Sequence, residues 1–138
     1  MTHNLRRLLL GAALSFSVAA PAADKHSIDQ RMDTCMDKDP STHGQVTCID
    51  QAAKEWDTEL NRAYRDLTQR LNPDEKATLL AAQKAWLTYR DQEYKAIGRI
   101  YGKMEGTMYQ PMRAHRAMSV VRARALELAD YASLLAGR

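Results

Sequence analysis

No strand signal, low-complexity tract or internal repeat occurs anywhere in the 138 residues, which argues against all-β, solenoid and disordered architectures. Also absent are H-E-x-x-H, G-x-S-x-G and any phosphate-cradling loop, while His26, His43 and His115 stand far apart. The chain therefore offers no legible catalytic motif, cofactor box or zinc motif, and it reads as a non-enzyme that needs no cofactor. Excess charge is missing as well. The formal net charge is +3, but Arg6 and Arg7 lie in the first 22 residues, which hold no acid, so the remainder carries +1. That balance gives no reason to expect a nucleic-acid or anionic-membrane partner. Cysteine is limited to Cys35 and Cys48. Twelve intervening residues suit neither a C-x-x-C redox motif nor a metal knuckle, whereas an isolated pair in an exported chain predicts a structural disulfide.

Export is predicted by the N-terminus. MTHNLRR is a short basic segment, LLLGAALSFSVA is apolar, and small residues follow at APA. This is the layout of a secretory signal peptide over residues 1–22, with cleavage between Ala22 and Ala23. The apolar run falls short of the roughly 20 residues that a spanning helix needs. No cysteine sits at the cleavage site, so no lipid anchor is expected there. The predicted product is a periplasmic or secreted domain of residues 23–138 with no membrane anchor, large enough to bury roughly two-thirds of its unfolded surface.

Every strong local cue in that domain is helical. Ser27 with Gln30 and Thr42 with Gln45 match capping boxes, and Asp39-Pro40 separates them. From Thr42 an apolar stripe runs through Val46, Ile49, Ala53, Trp56, Leu60, Ala63, Leu67 and Leu71 in steps of three and four. Asn72-Pro73-Asp74-Glu75 stops that helix and opens another, because Asn caps, Pro suits the first helical position and Glu completes the box. The third helix carries Leu79, Gln83, Trp86, Arg90, Tyr94, Ile97 and Tyr101 on its seam and ends at Gly102 and Gly106. A last helix starts between Thr107 and Pro111 and runs through Met118, Val121, Ala125 and Leu128 to Gly137. The prediction is an all-α bundle: three long helices and a short N-terminal helix tethered by one disulfide.

Gln83 and Arg90 are polar residues on a seam that should be apolar, and burying them unanswered would be costly. A tight turn at Asn72-Pro73 would make the second and third helices antiparallel neighbours. Asp57 lies 15 residues before Asn72 and Arg90 lies 17 after Pro73, which is a height difference of about 3 Å at 1.5 Å per residue. Asn61 and Gln83 match still more closely, and Asp57, Asn61 and Tyr64 share one helix edge. This predicts a polar ladder of Asp57 to Arg90 and Asn61 to Gln83, bracketed by Trp56 and Trp86, that fixes helix register.

The same residues carry a likeness. TCIDQAAKEWDTELNRAYRDL followed by AAQKAWLTYRDQEY resembles the lysozyme-inhibitor LprI-like family, through Cys48, Ala52, Trp56, Asp57, Leu60, Asn61, Tyr64 and Leu67, then Gln83, Trp86, Arg90 and Asp91. The resemblance extends from about Cys35 to Leu128. It implies an exported binding protein that inhibits lysozyme or a related peptidoglycan hydrolase. It also implies a second cystine between position 94 and the neighbourhood of 116; Tyr94 and Arg116 stand there, so that clasp is missing.

Three functions compete. The first is the inhibitor, for which Ser41, Thr42, His43, Gly44 and Gln45, inside the cystine ring, form a candidate partner-binding loop; its weak charge gives no electrostatic steering toward a basic lysozyme. The second is a periplasmic copper binder, because Met104, Met108, Met112 and His115 recur at near-helical spacing and soft thioethers suit Cu(I). Gly106 interrupts that spacing, and methionines commonly fill cores instead. The third is an enzyme, against which stand the scattered histidines and the absence of a catalytic motif; a structural envelope protein with another partner is the remaining alternative.

Overall fold

A computed structural model describes residues 25–137; the predicted signal peptide lies outside the described residues. Four helices follow in order: α1 (Ser27–Lys38), α2 (Thr42–Gln69), α3 (Pro73–Tyr101) and α4 (Tyr109–Ala136). No strand occurs among the described residues, as the sequence predicts.

The starts of the first two helices differ by one residue from their predicted caps. His26, not Ser27, caps α1, its Nδ1 accepting from the Ile28 amide at 3.2 Å. Ser41, not Thr42, caps α2, its Oγ accepting from the Gly44 amide at 3.0 Å. In each case the neighbouring residue has joined the helix, and the preceding side chain satisfies an otherwise orphaned amide. The third start forms as predicted. Asn72 Oδ1 accepts from the Glu75 amide and Glu75 Oε2 accepts from the Asn72 amide, both at 2.9 Å. Gly102 and Gly137 occupy the C-terminal caps of α3 and α4. Gly106 takes a φ of +103°, a region that disfavours residues bearing a Cβ.

The core lies between α2 and α4. Trp56, Leu60, Ala63 and Leu67 from α2 meet Met118, Val121, Ala125 and Leu128 from α4, and Ile28 and Met32 of α1 close one side. The N-terminal halves of α2 and α4 share one groove and their C-terminal ends share another, so these two helices run parallel and α3 is the antiparallel return. Trp56 and Leu128 are fully buried; truncating a buried Trp to Ala costs about 3 to 5 kcal/mol. Cys35 and Cys48 are joined, with their Cα atoms 5.7 Å apart, which fastens the last turns of α1 to the start of α2. Closing that loop contributes roughly 3 kcal/mol in the chain-entropy account.

The third helix departs from expectation. It leans on α4 and hardly touches α2, and Ile97 is its single buried side chain. Leu79 and Trp86 pack partly against the core, while Leu80, Tyr89 and Ile100 are exposed. The turn at Asn72-Pro73 reverses the chain, but α4 takes the apolar face of α2. The reason is compositional. The α4 stripe of Met118, Val121, Ala125 and Leu128 is wholly apolar, whereas the α3 seam carries Gln83 and Arg90. Hydrophobic burial therefore favours the α2–α4 pair.

Candidate functional site

Because α3 stands away from α2, an open cleft of about 1290 Å³ separates them, with the first half of α4 along its third side. Asp50, Lys54 and Asp57 line it from α2, Arg90, Tyr94 and Tyr101 from α3, and Tyr109 and Arg113 from α4. Val46 and Ala53 of α2, Ile97 of α3 and Ala114 and Ala117 of α4 are among its apolar lining residues. The segment between α3 and α4 contributes Met104, Gly106 and Thr107 at one end.

Asp57 and Arg90 face this cleft, but no hydrogen bond or ion pair joins them among the described residues. Arg90 instead bonds the neighbouring Asp91 at 2.8 and 3.0 Å. Its guanidinium lies 5.7 Å from the Trp86 ring and 5.9 Å from the Tyr94 ring, where cation–π attraction holds it. Burial raises the Tyr94 phenol above its ordinary pKa; Arg90 opposes this, and Asp57 and Asp91 reinforce it. The phenol therefore stays protonated and available as a donor at neutral pH.

The second rung does not form either. Asn61 Nδ2 bonds back to the Asp57 carbonyl at 2.9 Å, one helical turn earlier, and reaches the Asp57 carboxylate only at 3.5 Å. Gln83 Oε1 accepts from Arg124 Nε of α4 at 3.0 Å. Arg124 is buried and also bonds Glu127 at 2.6 Å. The seam's polar residues are thus answered from α4 or from their own helix. Tyr64 packs against the core.

Trp56 does not bracket a ladder. On the opposite side of the bundle its Nε1 donates to Asp29 Oδ1 at 3.3 Å, its ring lies 4.5 Å from His26, and the Arg122 guanidinium sits 5.3 Å from its centroid. Arg122 also bonds both oxygens of Asp29, the shortest contact being 2.7 Å. Sequence reasoning missed Asp29, Arg122 and Arg124. Asp29, lying between Ile28 and Met32 on the short first helix, carried the one usable signal.

The expected loop at 41–45 is also corrected. Thr42, His43, Gly44 and Gln45 form the first turn of α2 and Ser41 is its cap. Gly44 is buried, and a Cβ there would fall 2.5 Å from the Asp39 carbonyl oxygen. This stretch is a packed helix start, not a projecting probe. The Cys35–Cys48 cystine consumes both thiols. Among the described residues no three His, Cys, Asp or Glu side chains gather as a metal cluster, and no helix is long and apolar enough to cross a membrane.

A family model described as lysozyme inhibitor LprI matches residues 35–128. A crystal structure of an uncharacterised protein from Burkholderia thailandensis is similar over 83% of this chain, with 31% identity and a TM-score of 0.77. The likeness spans 58% of that protein's own chain. No curated protein matches.

Proposed function

We propose a binding function for this chain from one premise: it belongs to the lysozyme inhibitor LprI family. The reading is of an exported cell-envelope protein that inhibits a lysozyme-type muramidase or a related peptidoglycan hydrolase. The observation that carries it is the family match over residues 35–128, which includes the cystine, the α2–α4 core and every wall of the cleft. The cystine also fits a compartment outside the cytoplasm.

The cleft between α2 and α3 is the surface of choice. At about 1290 Å³ and open to solvent, it exceeds the usual range for an enclosed small-molecule site and has room for a protruding loop of a partner. Tyr94, Tyr101 and Tyr109 line it, and tyrosines give broad amphipathic contact at low entropic cost. Asp50 and Asp57 are offset there by Lys54, Arg90 and Arg113, so the cleft exerts no net pull on a basic enzyme. Binding should then show a modest on-rate and little salt dependence.

The test is a cell-wall lysis assay with c-type lysozyme and increasing amounts of the exported protein. Inhibition is expected at micromolar excess. Tyr94→Ala and Tyr109→Ala should relieve it without a matching loss of thermal stability. No inhibition by the parent protein would refute lysozyme as target. Inhibition that survives both substitutions would refute the cleft.

A further inference from the structure

Methionine ordinarily fills gaps in cores; Met32 and Met118 do so here, and Met36 packs against the core while staying partly exposed. Met104, Met108 and Met112 do not: they are 48%, 61% and 45% exposed. Three flexible apolar side chains at one end of a small bundle are not needed for its packing. Met104 lines the large cleft. Met108 and Met112 line a different groove, on the α1 side of α4, of about 620 Å³. Met36 and His115 line the same groove.

We propose that this groove is a site for a soft monovalent metal ion, Cu(I) or Ag(I), held by the sulfurs of Met36, Met108 and Met112 and an imidazole nitrogen of His115. Positions 108, 112 and 115 fall on one helix face by their i, i+4, i+7 spacing. Met108 already has helical dihedrals, φ −59° and ψ −26°, so the face is continuous from its first ligand. Gly106, with its positive φ, turns the chain away just before it. That turn cuts Met104 off from the set, and Met36 of α1 takes its place. Met36 follows Cys35 directly, so the cystine to Cys48 fixes the position of the one ligand that comes neither from α4 nor from its N-terminal cap.

The ligand set chooses the ion. Thioethers are soft and uncharged, and with one imidazole they suit Cu(I) or Ag(I) over Zn(II) or Mg(II). The electrostatics point the same way. The positive end of the α4 macrodipole and the guanidinium of Arg116, which lines the same groove, both oppose a cation. Their cost is twice as large for a divalent ion as for a monovalent one.

The experiment uses the exported protein with its cystine intact and its methionine methyl groups labelled for NMR, titrated anaerobically with Cu(I) in dilute acetonitrile. Ag(I) serves as a redox-inert parallel. The expected result is saturation at one equivalent, with the methyl signals of Met36, Met108 and Met112 shifting and those of Met32, Met104 and Met118 staying in place. Zn(II) should move none of them. Met112→Leu and His115→Ala should each weaken binding by at least about tenfold, whereas Met104→Leu should leave it unchanged; far-UV circular dichroism checks the fold of each variant. Absence of shifts, equal shifts of Met104 and Met112, or parent-like affinity in both weakened variants would each overturn the proposal. None of these outcomes depends on inhibition of a hydrolase.

Discussion

Removing the Asp29 carboxylate should be among the most damaging single changes outside the apolar core. Its side chain is 6% exposed and is bonded by Arg122 through three contacts and by the Trp56 indole, so it ties α1 to both helices of the core. Loss of one partner from a buried ion pair costs about 3 to 5 kcal/mol. Arg122 is 37% exposed and can turn to water, which lowers its share to about 2 kcal/mol. The indole N–H, on a fully buried Trp56, is left without its acceptor for about 1 kcal/mol more. Asp29→Ala should therefore lose about 3 kcal/mol, which for a domain of this size lowers Tm by roughly 12 °C. Asp29→Asn keeps an acceptor for one donor and should lose less. Burial works against the Asp29 charge, but the bonds and charge of Arg122, the Trp56 N–H and nearby His26 outweigh it and hold its pKa below the ordinary carboxylate value. A depressed folded pKa gives stability that is present above the unfolded value, near 4, and lost as pH falls through the folded one. The gap between parent and Asp29→Asn should thus be full at pH 7 and shrink below about pH 4. Thermal melts across that range, with a cycle including Arg122→Met, test the reasoning. A loss under about 1 kcal/mol for Asp29→Ala, or coupling to Arg122 under about 0.5 kcal/mol, would refute it.

Opening the Cys35–Cys48 bridge by a double Ser substitution should lower stability by roughly 3 kcal/mol, and intact mass of the parent should rise by two hydrogens on reduction. Thiol labelling of the unreduced parent would contradict the bridge. Asp57→Asn and Arg90→Met should act additively to within about 0.5 kcal/mol, since the two groups face one cleft without bonding; measured coupling above about 1 kcal/mol would place them in contact.

Helix existence and type were legible because periodicity over 26 residues, from Val46 to Leu71, admits no other reading. The Asn72–Glu75 box was legible because its chemistry is local. Which helices pair was not, because a turn sets direction and burial sets neighbours. Gln83 and Arg90 hold the clue in hindsight. Their presence on the α3 seam marks that helix as the weaker claimant to the apolar face of α2, and the partner of Gln83 proved to be Arg124, 41 positions away. The cleft followed from the same fact and was illegible for the same reason. At positions 41–45 the Thr42–Gln45 box already signalled a helix start, so a projecting loop drawn over the same residues was at odds with it; Ser41 caps that helix one residue before the predicted Thr42.

The parallel pairing of α2 and α4 gives α3 a role that its own burial would not suggest. Two parallel helices joined in sequence need a return of matching length, and the three measure 28, 29 and 28 residues. α3 is therefore a ruler. Each residue added to it carries the start of α4 about 1.5 Å further toward the N-terminal end of α2 and turns it by about 100°. A one-residue insertion would rotate Met118, Val121 and Leu128 away from Trp56 unless the Gly102–Met108 connection absorbed the twist. An insertion of a whole turn would keep the faces aligned but slide them by about 5.4 Å, roughly the spacing between successive layers of side chains. Most of α3's surface is exposed or half-exposed, while its length is held by a core to which it lends only Ile97 and the flanks of Leu79 and Trp86.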